Sequence, residues 1–373
     1  MRQFRNDYSE GAAPAILAAL AATNLEQTVG YTEGDPYCAQ ARELIAAACG
    51  FAGVEAPGEA AGAAEKCGEV AAADESAAEK RRALVEFCPG GTSANTICLA
   101  AMTEDYEAII ATPDAHIATH ETGSVGACGR TILLTSDTNG FMSVEAAERV
   151  YQQFTSGGRH MVKPAVVYLT NATELGGVYT RAQLEELCAW AHERGLRVYL
   201  DGARLGSALT SPANDLTLPQ LAALVDVFTI GGTKNGMLFG EAVVSRDARL
   251  NRTFGYVQKQ RGGLMAKGRL YGVQYVAAFE NGLYWELAKA ANAAAQKLAE
   301  GLCALGWEPY GNSPSNQRFF VVDPALAKEA AARWGCEVYS TLPSGKQVIR
   351  FVCSWATTLE DIDELLASAR ALL

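Results

Sequence analysis

The sequence predicts an α/β fold in which a large domain with a mostly parallel sheet is followed by a smaller α+β C-terminal domain. Three observations predict it. From residue 84 onwards, short and nearly continuous apolar runs alternate with helical patterns, as expected of parallel strands buried on both faces. One run, "RVYLD", drives straight into a carboxylate, Asp201, and so sets a ligand-facing group at the carboxyl end of a strand. After about residue 265 the pattern changes to a long Ala-rich helix and then to a group of short strands. A chain of 373 residues has room for one large core and one smaller one.

Taken in order, residues 1–25 read as an N-terminal arm and helix. The apolar stretch at 12–22 is short, Ala-rich and preceded by Asp7 and Glu10, which fits a helix and not a signal peptide. Residues 26–264 form the large domain. Within it, 51–81 are nearly all Ala, Gly, Glu and Lys and bury little, so they read as a surface insertion. The strands expected are "LVEF", "EAIIAT", "PAVVYLT", "RVYLD", "DVFTI" and "EAVVS". Helices are expected over "SANTICLAAMT", "TRAQLEELCAWAHERG" and "LPQLAALV"; in the second, Leu184, Leu187, Cys188 and Ala191 keep the period of an amphipathic helix. Residues 265–373 hold one long helix, roughly 270–305, the strands "RFFVVD", "GCEVYS" and "QVIRFVCS", and a terminal helix.

Charge and composition narrow the function. A net charge of −11 argues against non-specific nucleic-acid binding and supplies no basic patch for an anionic membrane. No apolar run approaches the roughly 18 residues of a membrane span. Ten cysteines are scattered without C-x-x-C or zinc-type spacing, which fits buried free thiols in a reducing cytoplasm and predicts no metal site.

The chemistry concentrates at strand ends. "FCPGGTSAN" sets Gly90, Gly91, Thr92 and Ser93 at a strand-to-helix turn whose N–H groups suit a phosphate. It is not a P-loop, and its absence speaks against an NTPase. "LDGARLG" supplies Asp201 and, three residues on, Arg204: either an internal ion pair, or an acid for a protonated ring nitrogen and a fork for a carboxylate. "DAHIATHETG" brings His116 and His120, either structural or able to stack on a flat cofactor. "GGTKNG" holds Lys234 in a glycine-flanked turn between two apolar runs, with Thr233 beside it as a further phosphate contact. A phosphate cradle, a stacking ring, an acid and a lysine in this order are the parts that pyridoxal 5'-phosphate (PLP) requires.

These motifs resemble the threonine aldolase and β-eliminating lyase family of PLP enzymes, with the aspartate aminotransferase-type fold (PLP-dependent transferase-like). The likeness covers nearly all of the chain outside 51–81. It implies that Lys234 bonds to the cofactor aldehyde, Asp201 pairs with the pyridine nitrogen and His116 stacks on the ring. Gly91 and Thr92, with Ser93, would hold the phosphate, and Arg204 and Arg350 would grip the substrate carboxylate. Asn6, in "FRNDYSEG", and Tyr31, in "VGYTEGDPY", lie in segments that approach the site in this family, the second from a neighbouring subunit. A cytoplasmic homodimer or homotetramer is therefore implied. The chain departs from the family pattern at two places: Asn6 precedes Asp7 where Ser is common, and "LTNATELGG" sets Thr173 where many aldolases carry a histidine. His120, or a water held by Glu121, is the substitute for that histidine. The implied reaction is aldol cleavage of L-threonine, L-allo-threonine or a related β-hydroxy-α-amino acid to glycine and an aldehyde. β-Elimination and aminotransfer are the alternatives, and a non-catalytic phosphate-ligand binding protein is a remote one.

Overall fold

The computed structural model describes residues 2–55 and 82–371. Most of the expected surface insertion, residues 56–81, lies outside the described residues. The start of that segment, Gly53–Val54 (β1), is the edge of a sheet and pairs in parallel with Arg82–Cys88 (β2).

The large sheet continues with Glu107–Ala111 (β3), Thr131–Leu134 (β4), Lys163–Thr170 (β5), Arg197–Asp201 (β6), Val227–Gly231 (β7) and Glu241–Ser245 (β8). Its order is β1-β2-β8-β7-β6-β5-β3-β4, and only β8 runs antiparallel to its neighbours. Strands β3 and β7 are buried at every residue, and β5 and β6 at all but their first, so both faces are covered and the run of apolar residues is continuous. Their parallel direction gathers the carboxyl ends of β2, β3, β5, β6 and β7 on one edge. That shared edge positions the site.

Helices cover both faces. The helix Gly91–Met102 packs against Ala248–Gln260 on one side, and Pro36–Ala48 against Arg269–Phe279 on the other. Several starts follow from capping chemistry: Asp35 before Pro36, Ser143 before Val144–Thr155, and the Thr180 box before Arg181–Glu193. The long helix expected over 270–305 is two helices, Arg269–Phe279 and Leu283–Ala304. Gly282 between them sits in the left-handed region at φ 73°, where a helix cannot continue.

A second sheet holds Glu308–Pro309 (β9), Gln317–Val322 (β10), Glu337–Thr341 (β11) and Gln347–Val352 (β12) in the order β11-β12-β10-β9. Its core contains Trp307, Phe320, Trp334 and Phe351, and Phe4 from the N-terminal arm joins it. The Phe4 N–H donates to the Trp334 carbonyl and the Phe4 carbonyl accepts from the Val352 N–H, so the arm is stitched to this sheet. No helix among the described residues is long and apolar enough to cross a membrane. The described cysteines are all free, and only Cys128 and Cys303 are not buried.

Candidate active site

The carboxyl edge of the large sheet holds a narrow pocket lined by Gly91, Asn95, His116, Thr170, Ala172, Glu174, Asp201, Ala203, Arg204 and Lys234. Lys234 leaves β7 in the loop that returns along β8. Burial disfavours its charge and Arg204 adds repulsion; these outweigh the attraction of Asp7, Glu174 and Asp201, so the amine titrates below the usual lysine range. The loop is held by the neighbouring "DGAR" turn. A Cβ on Gly202 would meet the Thr229 carbonyl oxygen at 2.0 Å, and one on Gly231 would meet the Ala203 oxygen at 2.2 Å. Two backbones therefore touch where only glycine fits, and the Gly231 N–H donates to the Gly202 carbonyl at 3.0 Å.

Asp201 is buried and well supplied with donors. Asn95 Nδ2 at 2.8 Å and the Tyr168 hydroxyl at 2.7 Å donate to Oδ2, and the Ala203 N–H donates to Oδ1 at 2.9 Å. Asn95 is a hub to which the sequence motifs assign no role. Its amide also donates to Glu121 Oε1 at 2.8 Å, and its own oxygen accepts from the Tyr199 hydroxyl at 2.8 Å. Glu121 in turn lies 2.9 Å from His116 Nδ1 and accepts from Ser124 at 2.7 Å. Burial works against a charged His116 ring, but the Glu121 hydrogen bond and the Glu174 and Asp201 charges outweigh it and Lys234, raising its pKa above the ordinary range. One buried network thus fixes both the ring of His116 and the carboxylate of Asp201.

Arg204 reaches the pocket already paired. Its Nε donates to Asp7 Oδ2 at 2.7 Å and Nη2 to Oδ1 at 3.1 Å, and Asn316 donates to the same carboxylate at 2.9 Å. Burial opposes the Asp7 charge, yet Arg204, Lys234 and Asn316 hold its pKa below the usual range. Arg204 also lines the pocket, and its Nη1 has no protein acceptor among the described residues. At the N-terminus of Gly91–Met102 no side chain caps the helix, and open space lies over Gly90 and Gly91. The first-turn N–H groups of Gly91, Thr92 and Ser93 are thus available to an anion.

Other expected residues stand elsewhere. Arg350 does not line the pocket; on β12 it lies directly opposite Glu337 of β11, forms an ion pair with it, and donates to Gln317 at 3.1 Å. The Thr233 hydroxyl accepts from the Gly240 N–H at 3.1 Å and so turns into its own loop. His120 is exposed, edge-on to His116 at 5.6 Å, and outside the lining. Asn6 is occupied locally, accepting from the Tyr8 N–H and the Ser9 hydroxyl. Tyr31, 42% exposed, lines a different and larger groove of about 430 Å³ with Glu33, Glu86 and Tyr256. That groove is the larger cavity, but the titratable groups converge on the narrow pocket. Glu174, which no sequence motif singles out, lines it, whereas Thr173 is fully buried beside it.

This architecture is that of the aspartate aminotransferase class. An aspartate aminotransferase from Thermus thermophilus superposes with a TM-score of 0.66 at 13% identity, covering 100% of this chain and 92% of that one. Within the class, the beta-eliminating lyase family model matches residues 3–323, and the chain belongs to that family. A low specificity L-threonine aldolase of Pseudomonas sp. (strain NCIMB 10558) is 34% identical over 296 residues, 78% of this chain and 83% of the relative. A threonine aldolase structure from Leishmania major superposes with a TM-score of 0.88 at 35% identity, covering 100% of this chain and 99% of that one.

Proposed function

We propose that the protein is a PLP-dependent lyase that cleaves L-threonine or a related β-hydroxy-α-amino acid to glycine and an aldehyde. The observation that carries this reading is the convergence of Lys234, Asp201, His116 and Arg204 on one pocket, in a chain of the beta-eliminating lyase family. The residues present fit the cofactor: an uncapped helix start with open space over two glycines suits its phosphate, and a buried, hydrogen-bonded carboxylate suits its pyridine nitrogen. Gly91, Thr92 and Ser93 would hold the phosphate, His116 would lie against the ring, and Lys234 would bond to the aldehyde carbon. When bound, PLP supplies an electron sink for a bond broken at Cα.

The chain's own groups do the rest. Lys234, its ammonium disfavoured by burial and by Arg204, offers a free amine to a carbonyl carbon. Arg204, oriented by Asp7, offers its remaining N–H groups to the substrate carboxylate and so sets which Cα bond stands in line with the sink. Asp201, held in place by its donors, would face the pyridine nitrogen and keep a proton on it. For Arg350 to join Arg204 on the substrate carboxylate, it must first leave Glu337. A homo-oligomer in which Tyr31 reaches a neighbouring site belongs to the same proposal, and sedimentation of the purified protein tests it.

The test is to incubate PLP-reconstituted protein with L-threonine and assay glycine and acetaldehyde together, with Lys234→Ala beside it. Equal amounts of both products, reduced at least about 1,000-fold in the variant, are expected. A keto acid and ammonia in their place would move the assignment to elimination. A protein that binds no PLP would end it.

A further inference from the structure

We propose that Glu174 takes the proton from the substrate's β-hydroxyl group during carbon–carbon cleavage. This rests on the aldolase reading and names a catalytic residue for it. The argument begins with the turn after β5. Thr173 is fully buried: its Oγ1 accepts from the Gly177 N–H at 3.0 Å, and its own N–H donates to the Gly177 carbonyl at 2.8 Å. The turn has no slack. A Cβ on Gly176 would meet Ser313 Oγ at 2.0 Å, and one on Gly177 would meet the Phe141 ring at 2.4 Å. With residue 173 locked inward, its neighbour Glu174 is the side chain delivered to the pocket wall beside His116, Arg204 and Lys234.

Glu174 also differs from the other carboxylates at this end of the sheet. Asp201, Glu121 and Asp7 each accept two or more hydrogen bonds from protein donors. Glu174 has no hydrogen-bond or ion-pair partner among the described residues, although its charge favours the charged forms of His116, Arg204 and Lys234. Asp114 too has oxygens without partners, but they are shut in near Gly140 and do not line the pocket. A carboxylate set among pocket groups and spared internal donors is available to a hydroxyl arriving with the substrate. Neither expected substitute competes: His120 is exposed outside the lining, and Glu121, which would hold a water, lies outside it too with both oxygens already accepting from Asn95 and Ser124.

The step balances. The β-oxygen gives its proton to Glu174, its bond to Cβ becomes a carbonyl as Cα–Cβ breaks, and the bonding pair stays with Cα. A proton returned to Cα completes glycine, so threonine becomes glycine and acetaldehyde with no net change of protons.

Glu174→Gln in the PLP-loaded enzyme separates this step from the rest, with glycine as the second substrate. Exchange of glycine's α-proton with solvent deuterium needs the cofactor, Lys234 and the carboxylate grip, but no β-hydroxyl base. The expected result is a fall of about 100-fold or more in kcat for L-threonine cleavage, with glycine exchange kept within about threefold. Cleavage kept within threefold, or cleavage and exchange lost together, would overturn the proposal. A wild-type protein that exchanges glycine but releases no acetaldehyde would overturn the aldolase reading itself, and this step with it.

Discussion

Glu241 shows how burial sets charge at the scale of one residue. It is buried at the base of the Lys234 loop, where desolvation pushes its carboxyl up to about 8 against help from Thr233, Lys234 and the Gly232 N–H. The folded pKa lies above the unfolded value of 4.5, so its contribution to stability is full below pH 4.5 and is lost as pH rises towards 8. Glu241→Gln keeps an oxygen for Gly232 and removes the titration. The stability of the variant relative to wild type is therefore expected to rise between pH 5 and 8 and level off above, read from urea midpoints of the cofactor-free protein. A difference that does not change with pH would show that the carboxyl ionises as it does in the unfolded chain. The same scale explains which site residues the sequence makes legible. Asp201 is legible because a buried strand that ends in a carboxylate is locally unusual. Glu174 is not, because which of two adjacent residues faces the pocket is decided by the backbone bonds of Gly177 to Thr173 and by the bulk of Phe141 and Ser313, which are distant in sequence. Arg350 stands away from its expected place for a related reason: its partner Glu337 is set by strand register, which motif matching does not see.

Among elements, the interlocked turns after β6 and β7 make the clearest prediction. Gly202→Ala would force a Cβ to within 2.0 Å of a backbone oxygen, so the two turns must separate. A loss of more than about 2 kcal/mol is expected, together with loss of the Lys234 geometry. Gly255, inside the helix Ala248–Gln260, has no neighbouring atom within 4 Å of the place a methyl group would take, and Gly255→Ala is expected to add about 0.5–1 kcal/mol. Thermal melts of the pair check both signs, and equal melting points would contradict the packing argument. Elements with a strong period or an apolar run, such as Arg181–Glu193 and β5, are legible in the sequence. Val144–Thr155 and Pro324–Trp334 are not among the helices expected from the sequence, although Ser143 and Asp323-Pro324 mark their starts and Ala147, Val150 and Phe154 keep a helical period in the first. The break at Gly282 is signalled by Asn281-Gly282, but the Ala-rich helical pattern on either side hides it.

At the scale of the whole molecule, the arm ties the small sheet to the site. Phe4 is fully buried and packs on Phe351 at 6.2 Å, while Asp7, three residues on, orients Arg204. Phe4→Ala is expected to cost about 3–5 kcal/mol and, by loosening Asp7, to raise KM for L-threonine several-fold. Stability lost with KM unchanged would mean that the two ends of the arm act independently.

The arm also bears on the order in which the molecule can be finished. Arg2 donates to Asp361 across 359 positions, and Phe4 waits for Trp334 and Val352. During synthesis these residues have no place to dock until the segments around 334, 352 and 361 have left the ribosome. Asp7 travels with them, so Arg204 stays without its orienting partner until those later segments emerge. The nascent chain can lay down its large sheet before then, but the substrate grip is assembled afterwards, by contacts among the most widely separated in the fold.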